Sequence, residues 1–488
     1  MHPERIVLID IDGLRPDVFH AALEAEEIPN LARLVGGGLH IEIAAPAPSI
    51  TFCSQACLFT GAHPDEHGVP GNQFFDRFGS GFAGAPRHYA FDIGDSLAVD
   101  DAVLVFTHSL AGNRLGRSTI YDRFTEKGKT SVVAGNMYAR GATTWIKPNL
   151  ANIARFTRGG NRFGMSSRTY DQDIVDRLVA RIRMDGLPDL TTLYLMGLDH
   201  DSHAYGPIPA QRDYLVDHVD AMVGEFWEAV VEAGGPPPLV AVFSDHGQIR
   251  VIPDDAHSLR IGFPFDKEVV HFFTALGLDV HDYPGEDPHC DAVMATNGGL
   301  AFVYLRSRVG EWSDPPEFQR DVLPVARAFW EAHATGVYAA ELQGALAGVL
   351  LRDVGTLGWE TDFKALTPDG AVVPLDAWFA AQPEGLYLDP VNRLRHQAGR
   401  FAGDLLLISN YAEGYYFGSE TVGIHGGLHP EDSLATLSYG WPGASGEDWG
   451  RVSSEILSAI EARCAQEGGR MAMTCDLVVG IEAACEVE

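Results

Sequence analysis

Basic residues are scarce in this chain: 35 lysines and arginines stand against 67 aspartates and glutamates, a net charge of −32 over 488 residues. So acidic a surface repels nucleic acid and anionic membranes, and neither is an expected partner. No uninterrupted apolar run reaches the ~20 residues that a membrane-spanning helix needs. Asp10 and Asp12 interrupt what would otherwise be a signal-peptide core at Ile6–Gly13, and no cleavage site follows. The expected location is therefore the cytoplasm. Cysteine is sparse, with six residues at irregular spacing and no C-x-x-C pair, which argues against a disulfide scaffold or a knuckle-type zinc site. The thiols are expected to stay reduced and to pack as small hydrophobes, Cys53 and Cys57 among them. Internal repeats and low-complexity tracts are also lacking.

What is present reads as a large α/β chain. Hydrophobic residues make up 46% and charged residues 21%, the balance of a packed globular protein. The length suits roughly two to four domains, or one large α/β domain with an inserted cap. Apolar runs at 5–12, 39–45, 130–136, 190–198 and 239–243 have the composition of buried strands. Helical spacing falls between them, at 17–26, 28–34, 170–184 and 210–233. This alternation predicts a mostly parallel central sheet with helices on both faces and a ligand site beyond the carboxyl ends of the strands. Residues 1–302 and 401–440 are expected to form that core. Residues 303–400 read as an inserted cap with helices at 321–331 and 339–351, and 441–488 as a C-terminal extension with a helix at 449–467.

Three strands run into acid, at Asp12, Asp199 and Asp245. One such ending is chance, but three at one edge build a polar site. Asp199 and His203 are four apart, so one helical turn would put both on one face. Asp245 and His246 are adjacent, and His425 sits in the tight loop Gly423–Gly427. Three aspartates and three histidines suit two metal ions, zinc first, with manganese or iron as alternatives. Thr51 follows Pro48-Ser49-Ile50 and opens a short periodic run closed by Gly61, the pattern of a helix start and stop. Taken alone, a threonine there is more often a cap than a nucleophile. Between two ions its hydroxyl becomes a bridging nucleophile, because coordination lowers its pKa. Two divalent ions add about +4 where an anion must bind, which reconciles the acidic chain with an anionic substrate. The plainer readings stand beside these: Asp12-Gly13 as a turn former, an Asp-His pair as a structural hydrogen bond, and His67 as a loop brace. His200, Asp201 and His429 lie next to proposed ligands and read as residues that orient them or face solvent.

The motifs are Ile9-Asp10-Ile11-Asp12-Gly13-Leu14-Arg15-Pro16, then Thr51-Phe52, then Thr60-Gly61 with Pro64, His67-Gly68 and Asn72. Asp199 through His203 follow, with Tyr205-Gly206-Pro207, then Ser244-Asp245-His246-Gly247 and His425-Gly426. In order and spacing they resemble the nucleotide pyrophosphatase/phosphodiesterase branch of the alkaline phosphatase superfamily, with phosphonoacetate hydrolases as close relatives. The resemblance runs from Ile6 to Gly426 and is loose over 303–400. It implies an alkaline phosphatase-like fold and a two-zinc hydrolase of phosphate diesters or pyrophosphates. It also implies nucleotide-type substrates and a covalent phospho-threonine intermediate. By motif position Thr51 looks like the nucleophile and the bridge between the ions. Asp199, His203 and His425 look like the ligands of one zinc, and Asp12, Asp245 and His246 like those of the other. Asn72 is similar to the family's phosphate-contacting asparagine, whose amide donates to a non-bridging oxygen. The implied partner is a small anionic phosphorus compound, and the oligomeric state is open.

The chain also departs from the pattern. The family often follows its nucleophile with Phe-Pro-Asn, and here Phe52-Cys53-Ser54 stands instead. The stretch Ala134–Arg140 has no lysine to hold the carboxylate of phosphonoacetate, which leaves Arg140 as the candidate substitute. Phosphonate hydrolysis and phosphomonoester hydrolysis stay open on the same metal core. A sulfatase would need a Cys-x-Pro-x-Arg signature, and Cys53-Ser54-Gln55-Ala56-Cys57 is not one. A catalytically silent binding protein would show a lost ligand or nucleophile, whereas all seven metal-site positions carry competent residues. Specificity is expected from the loops around 84–117 and 136–163 and from the cap.

Overall fold

The computed structural model describes residues 1–81, 84–92, 99–149, 152, 166–260, 268–281, 285–286 and 289–485. Of the two loops expected to set specificity, 93–98, 150–151 and 153–163 lie outside the described residues.

Ile6–Ile11 is the middle of a seven-stranded sheet. It pairs in parallel with Leu190–Leu195 on one side and with Leu239–Phe243 on the other. Ser131–Ala134 and Thr144–Ile146 continue the parallel run beyond Leu190–Leu195. On the far side Leu434–Gly440 lies antiparallel to Leu239–Phe243, and Leu39–Ala44 closes the edge antiparallel to it. Six of the seven strands thus point one way, the mostly parallel sheet that the sequence predicts.

The run Ile6–Ile11 is almost wholly apolar because both its faces are covered. Ile6 and Leu8 pack with Phe52, Ala56 and Phe59 of the helix Thr51–Thr60. Val7, Ile9 and Ile11 pack on the opposite face with Ile174, Val223 and Phe226. Side chains alternate along a strand, so Asp10 and Asp12 continue the face of Ile6 and Leu8 and meet the Thr51 helix.

A second seven-stranded sheet runs, in spatial order, Val280–His281, Ala292–Asn297, Leu300–Leu305, Leu405–Ser409, Leu346–Leu351, Lys364–Leu366 and Val372–Pro374. The boundaries drawn from sequence at 303 and 400 fall within this layer: Val303 is in mid-strand and pairs with both Met294 and Leu405. The helix expected at 339–351 does not form. A short 3₁₀ turn at Ala340–Leu342 precedes a strand, Leu346–Leu351. Periodicity cannot tell a short apolar run from a buried helix. Here the pairing partners Leu405–Ser409 and Lys364–Leu366 decide the matter. The long helix expected over 210–233 is divided into Pro207–Tyr214, a π-helical turn at Leu215–Val219, and Asp220–Glu232. Among the described residues no helix is long and apolar enough to cross a membrane.

The C-terminal segment packs against the layer that holds the helix Thr51–Thr60. Leu477, Val478 and Ile481 of the helix Asp476–Cys485 enter the same core as Phe59. Met473 bridges to the edge strand at Ala44. Arg470 grips Asp476 with two hydrogen bonds, of 2.7 and 3.0 Å, and both side chains are fully buried. His63, His396 and Glu467 also converge near this point. Arg463 and Arg470 occupy both Glu467 oxygens, so that group serves as an ion-paired clasp between the segment and the His63 loop. Breaking one side of a buried pair costs about 3–5 kcal/mol. Arg463 stands 3.5 Å from Asp476 and retains part of the compensation. Arg470→Met is expected to lower the unfolding free energy by about 3 kcal/mol, read from the urea midpoint at unchanged slope. A loss below about 1 kcal/mol, the worth of a surface pair, would contradict the clasp.

Candidate active site

Each candidate residue reaches the site from the end of an element. Asp12 is the first residue beyond its strand, and Asp245-His246 follow Phe243 by two residues. Asp199 and His203 sit one turn apart on the helix Gly197–Tyr205. His425 follows the short strand Gly423–Ile424, and Thr51 opens the helix Thr51–Thr60. Gly13 turns the chain at φ +70°, and a Cβ there would lie 2.7 Å from Asp199 Oδ1. The close approach of the first strand end to the Asp199 helix therefore requires glycine.

These residues meet in one cluster. Thr51 Oγ1 lies 3.1 Å from His246 Nε2. His246 Nε2 is 3.4 Å from Asp12 Oδ1 and 3.4 Å from Asp245 Oδ2. His203 Nε2 is 3.3 Å from Asp199 Oδ2 and 3.1 Å from His425 Nε2. Two sets of donor atoms, each within 4.8 Å, share His246: Asp12 with Asp245, and Asp199 with His425. The helix-cap role for Thr51 is not what the structure has. Ile50 occupies the cap position, and no side chain of that residue closes the helix. Instead Asn72 Oδ1 accepts a 2.8 Å hydrogen bond from the Phe52 amide. That bond frees the Thr51 hydroxyl to face the histidines and fixes which end of the Asn72 amide is the donor.

The chemistry of the donor set suits cations. Each histidine donates from Nδ1 to a main-chain carbonyl: His203 to Gly423 (2.7 Å), His246 to Gly247 (2.9 Å) and His425 to Ser49 (3.1 Å). A carbonyl only accepts, so each Nδ1 carries a proton, and in the neutral ring Nε2 turns its lone pair inward. Asp12 Oδ1 and Asp245 Oδ2 are buried without a hydrogen-bond partner. Burial, reinforced by Asp245 and Asp199, pushes the Asp12 carboxyl well above the usual carboxylate range. Burial works the same way on Asp199, but His203 above all, then His425 and His246, outweighs it and holds Asp199 far below that range. Burial would pull His203 down, and Asp199 overrides it and pushes His203 up to about 9. Burial and then His246 hold His425 well below the ordinary histidine value. Without an ion, a proton on His203 answers the charge of Asp199. A bound cation would take that proton's place.

A cavity of about 610 Å³ opens over the cluster. Thr51, Asn72, Asp12, Asp199, His203 and His425 form its polar end. Phe52, Phe91, Phe106, Met137, Tyr170 and Met196 line an apolar wall, with the Phe52 and Phe91 rings 5.1 Å apart. His200 also lines it and accepts or donates at Ser167 Oγ, 2.9 Å away, while Asp201 takes the same hydroxyl at 2.6 Å. His67 is elsewhere, a buried brace 3.3 Å from Cys57 Sγ that accepts the Val69 amide. His429 caps the helix Pro430–Ser433. Arg140 is committed to Asp122 and to the Leu115 carbonyl, so it does not serve as the carboxylate-binding substitute for lysine.

Three supporting residues are not evident from the sequence. The Tyr194 hydroxyl donates to Asp12 Oδ2, Gln248 Nε2 donates to Asp199 Oδ1 at 2.7 Å, and Ser49 supplies the carbonyl that orients His425. None of the three carries a signal in the sequence, since it is the strand register that sets Tyr194 opposite Asp10. Gly13→Ala is expected to weaken divalent-ion binding by roughly tenfold or more, measured by competition with a chromogenic chelator. Gly234→Ala is the control, because φ there is +66° and nothing lies within 4 Å of a new Cβ. Both variants should lose about 1–2 kcal/mol from the left-handed backbone. Equal ion affinity in the two would contradict the contact with Asp199.

A family profile described as type I phosphodiesterase / nucleotide pyrophosphatase matches residues 6–343. An uncharacterized pyrophosphatase/phosphodiesterase of Schizosaccharomyces pombe is 22% identical over 248 residues, 50% of this chain and 44% of that protein. Human ectonucleotide pyrophosphatase/phosphodiesterase family member 1 is 22% identical over 244 residues, 49% of this chain and 23% of that protein. The chain thus spans less than half the length of the curated relatives it matches. Among solved structures, murine ectonucleotide pyrophosphatase/phosphodiesterase 5 superimposes with a TM-score of 0.52 at 13% identity, covering 89% of this chain and 87% of that one. An inactive variant of the murine protein in complex with AMP gives 0.53 at 13% identity, with 90% and 88% covered. These likenesses place the fold with that of the solved phosphodiesterases, and the profile match carries the assignment. The chain belongs to the type I phosphodiesterase / nucleotide pyrophosphatase family.

Proposed function

We propose that this protein hydrolyses phosphate diesters or pyrophosphates of nucleotide type through a covalent phospho-threonine at Thr51. The observation that carries the reading is the direction of the Thr51 hydroxyl. It stands at a helix N-terminus, 3.1 Å from His246 Nε2, and leaves the capping to Asn72. A helix N-terminus favours the phosphate that must approach it. Asp12, Asp245 and His246 would hold one divalent ion and Asp199, His203 and His425 the other. Zinc suits this set of carboxylate oxygens and imidazole nitrogens. When bound, the ions supply positive charge against the phosphoryl oxygens and lower the pKa of the attacking hydroxyl.

In the first step Thr51 Oγ bonds to phosphorus as the bond from phosphorus to the leaving oxygen breaks. Thr51 gives up its proton and the departing group gains one. Water then cleaves the phosphoryl group from Thr51 and restores the hydroxyl. Asn72 Nδ2 is the donor end because Oδ1 is taken by the Phe52 amide, and it donates to Asp92 Oδ2 at 3.3 Å on the cavity lining, a long bond that a phosphoryl oxygen would replace. There it donates to a phosphoryl oxygen as charge builds. The apolar wall with Phe52 and Phe91 accepts the flat, weakly polar part of a nucleotide leaving group. The AMP held by the inactive variant of the related murine protein supports that substrate class.

The test is hydrolysis of bis-p-nitrophenyl phosphate beside p-nitrophenyl phosphate, with zinc or manganese added. Faster diester cleavage, lost on chelation, is expected. Thr51→Ala should lose roughly 10³-fold or more in kcat while binding the same amount of metal. Turnover retained in Thr51→Ala would sink the covalent route, and faster monoester cleavage would move the protein to the phosphatase reading.

A further inference from the structure

Beneath the site lies a polar cluster that neither the metal ligands nor the substrate contacts account for. Asp10, Gln55 and Asn136 are each fully buried. Gln55 Nε2 donates to Asp10 Oδ1 at 3.3 Å, and Asn136 Nδ2 donates to Asp10 Oδ2 at 3.2 Å. The Asn136 amide also reaches Gln55 Oε1 at 2.7 Å. Gln55 lies one helical turn after Thr51 on the same helix, Asp10 is on the central strand two residues before Asp12, and Asn136 follows the strand Ser131–Ala134. The loop after Asn136 adds a grip on the helix start. Asn136 Oδ1 accepts the Tyr138 amide at 2.8 Å, and the Tyr138 hydroxyl donates to the Phe52 carbonyl at 2.9 Å. Asn72 holds the Phe52 amide from the other side.

We infer that Asp10, Gln55 and Asn136 are positioning residues. They lock the Thr51 helix in depth and rotation against the central strand, so that the Thr51 hydroxyl meets the phosphoryl group in line. The inference rests on Thr51 being the nucleophile. Apolar packing alone, from Phe52, Ala56 and Phe59 on Leu8, lets a helix slide and roll on a sheet. Directional hydrogen bonds from two separate strands remove both freedoms. Reacting atoms about 1 Å out of place can cost about a hundredfold in rate, so a small slip of this helix is enough to matter. The network also has a polarity: one acceptor-only carboxylate receives from two amides. That polarity can be reversed without changing shape. In Asp10→Asn with Gln55→Glu, the new amide at 10 donates to the carboxylate at 55, and Asn136 donates to both. Each single substitution instead sets donor against donor or acceptor against acceptor.

The experiment compares Asp10→Asn, Gln55→Glu and the double variant, measuring kcat and KM on bis-p-nitrophenyl phosphate, zinc per chain, and melting temperature. Each single variant is expected to lose roughly tenfold or more in kcat, with KM and zinc content unchanged. The double variant is expected to recover most of that loss, as coupled neighbours do. Single variants at wild-type kcat overturn the inference, and so does a double variant no better than the poorer single at equal zinc content. If the buried substitutions do not fold, Tyr138→Phe carries the test, because it removes one hydroxyl and leaves the Phe52 carbonyl its helical partner. A wild-type kcat in Tyr138→Phe then overturns the inference, and a loss with KM and zinc unchanged supports it. Thr51→Ala measured alongside separates the two failures. Turnover retained there refutes the nucleophile itself, whereas an inactive Thr51→Ala beside fully active Asp10→Asn refutes only the positioning role.

Discussion

Carboxylates crowded where water cannot reach them are the constraint on which the rest of this structure depends. Asp10, Asp12 and Asp245 are all buried at the end of the central strands, and Asp12 and Asp245 each leave an oxygen unpaired. Charges in such a setting are costly unless something positive answers them. Among the described residues part of the answer comes from His203, which Asp199 drives to hold its proton. Divalent ions meet the same need more completely. The same ions make sense of a chain with net charge −32 whose family acts on phosphate esters.

The fold creates this crowding and then steadies it. Parallel strands bring their carboxyl ends to one edge, so Asp12, Asp199 and Asp245 arrive together although they are far apart in sequence. Glycine at 13 lets the first loop close onto Asp199 without a Cβ in the way. Main-chain carbonyls at Gly247, Gly423 and Ser49 then set the histidine rings. The Thr51 helix is placed by a different device: hydrophobic packing sets its distance from the sheet, and a hydrogen bond ties Gln55 to Asp10 on the central strand. The C-terminal helix leans on the far end of the same helix through Val478 at Gly61. One short helix is therefore held at its start, its middle and its end.

Much of the central architecture is legible in the sequence because it is written in short-range patterns. A fully apolar six-residue run such as Ile6–Ile11 has few structures open to it besides a doubly covered strand. Acid at the end of such a run marks its carboxyl edge, and four-residue spacing alone puts Asp199 and His203 on one helical face. Less legible are segments whose neighbours decide their state. Leu346–Leu351 is apolar at every position but Gly348 and fits a helix or a strand until its partners are known. A division at 303 misses that Val303 belongs to a strand shared with residues far later in the chain. Arg140 looks available in the sequence only because its four acceptors lie well back along the chain, at Asp122 and in the stretch from Gly112 to Arg117.

The sequence by itself determined the strand-helix alternation and the residue types gathered at the carboxyl edge, because both follow from local periodicity and side-chain chemistry. Only the tertiary structure decided which way Thr51 points, which oxygens are left without partners, and which side chains stand beneath the Asp-His cluster. Those outcomes turn on contacts between residues a hundred or more positions apart: Thr51 with His246, Tyr194 with Asp12, and Asn136 with Asp10. No local pattern in the chain encodes such a meeting, since each depends on how whole strands and helices come to rest against one another.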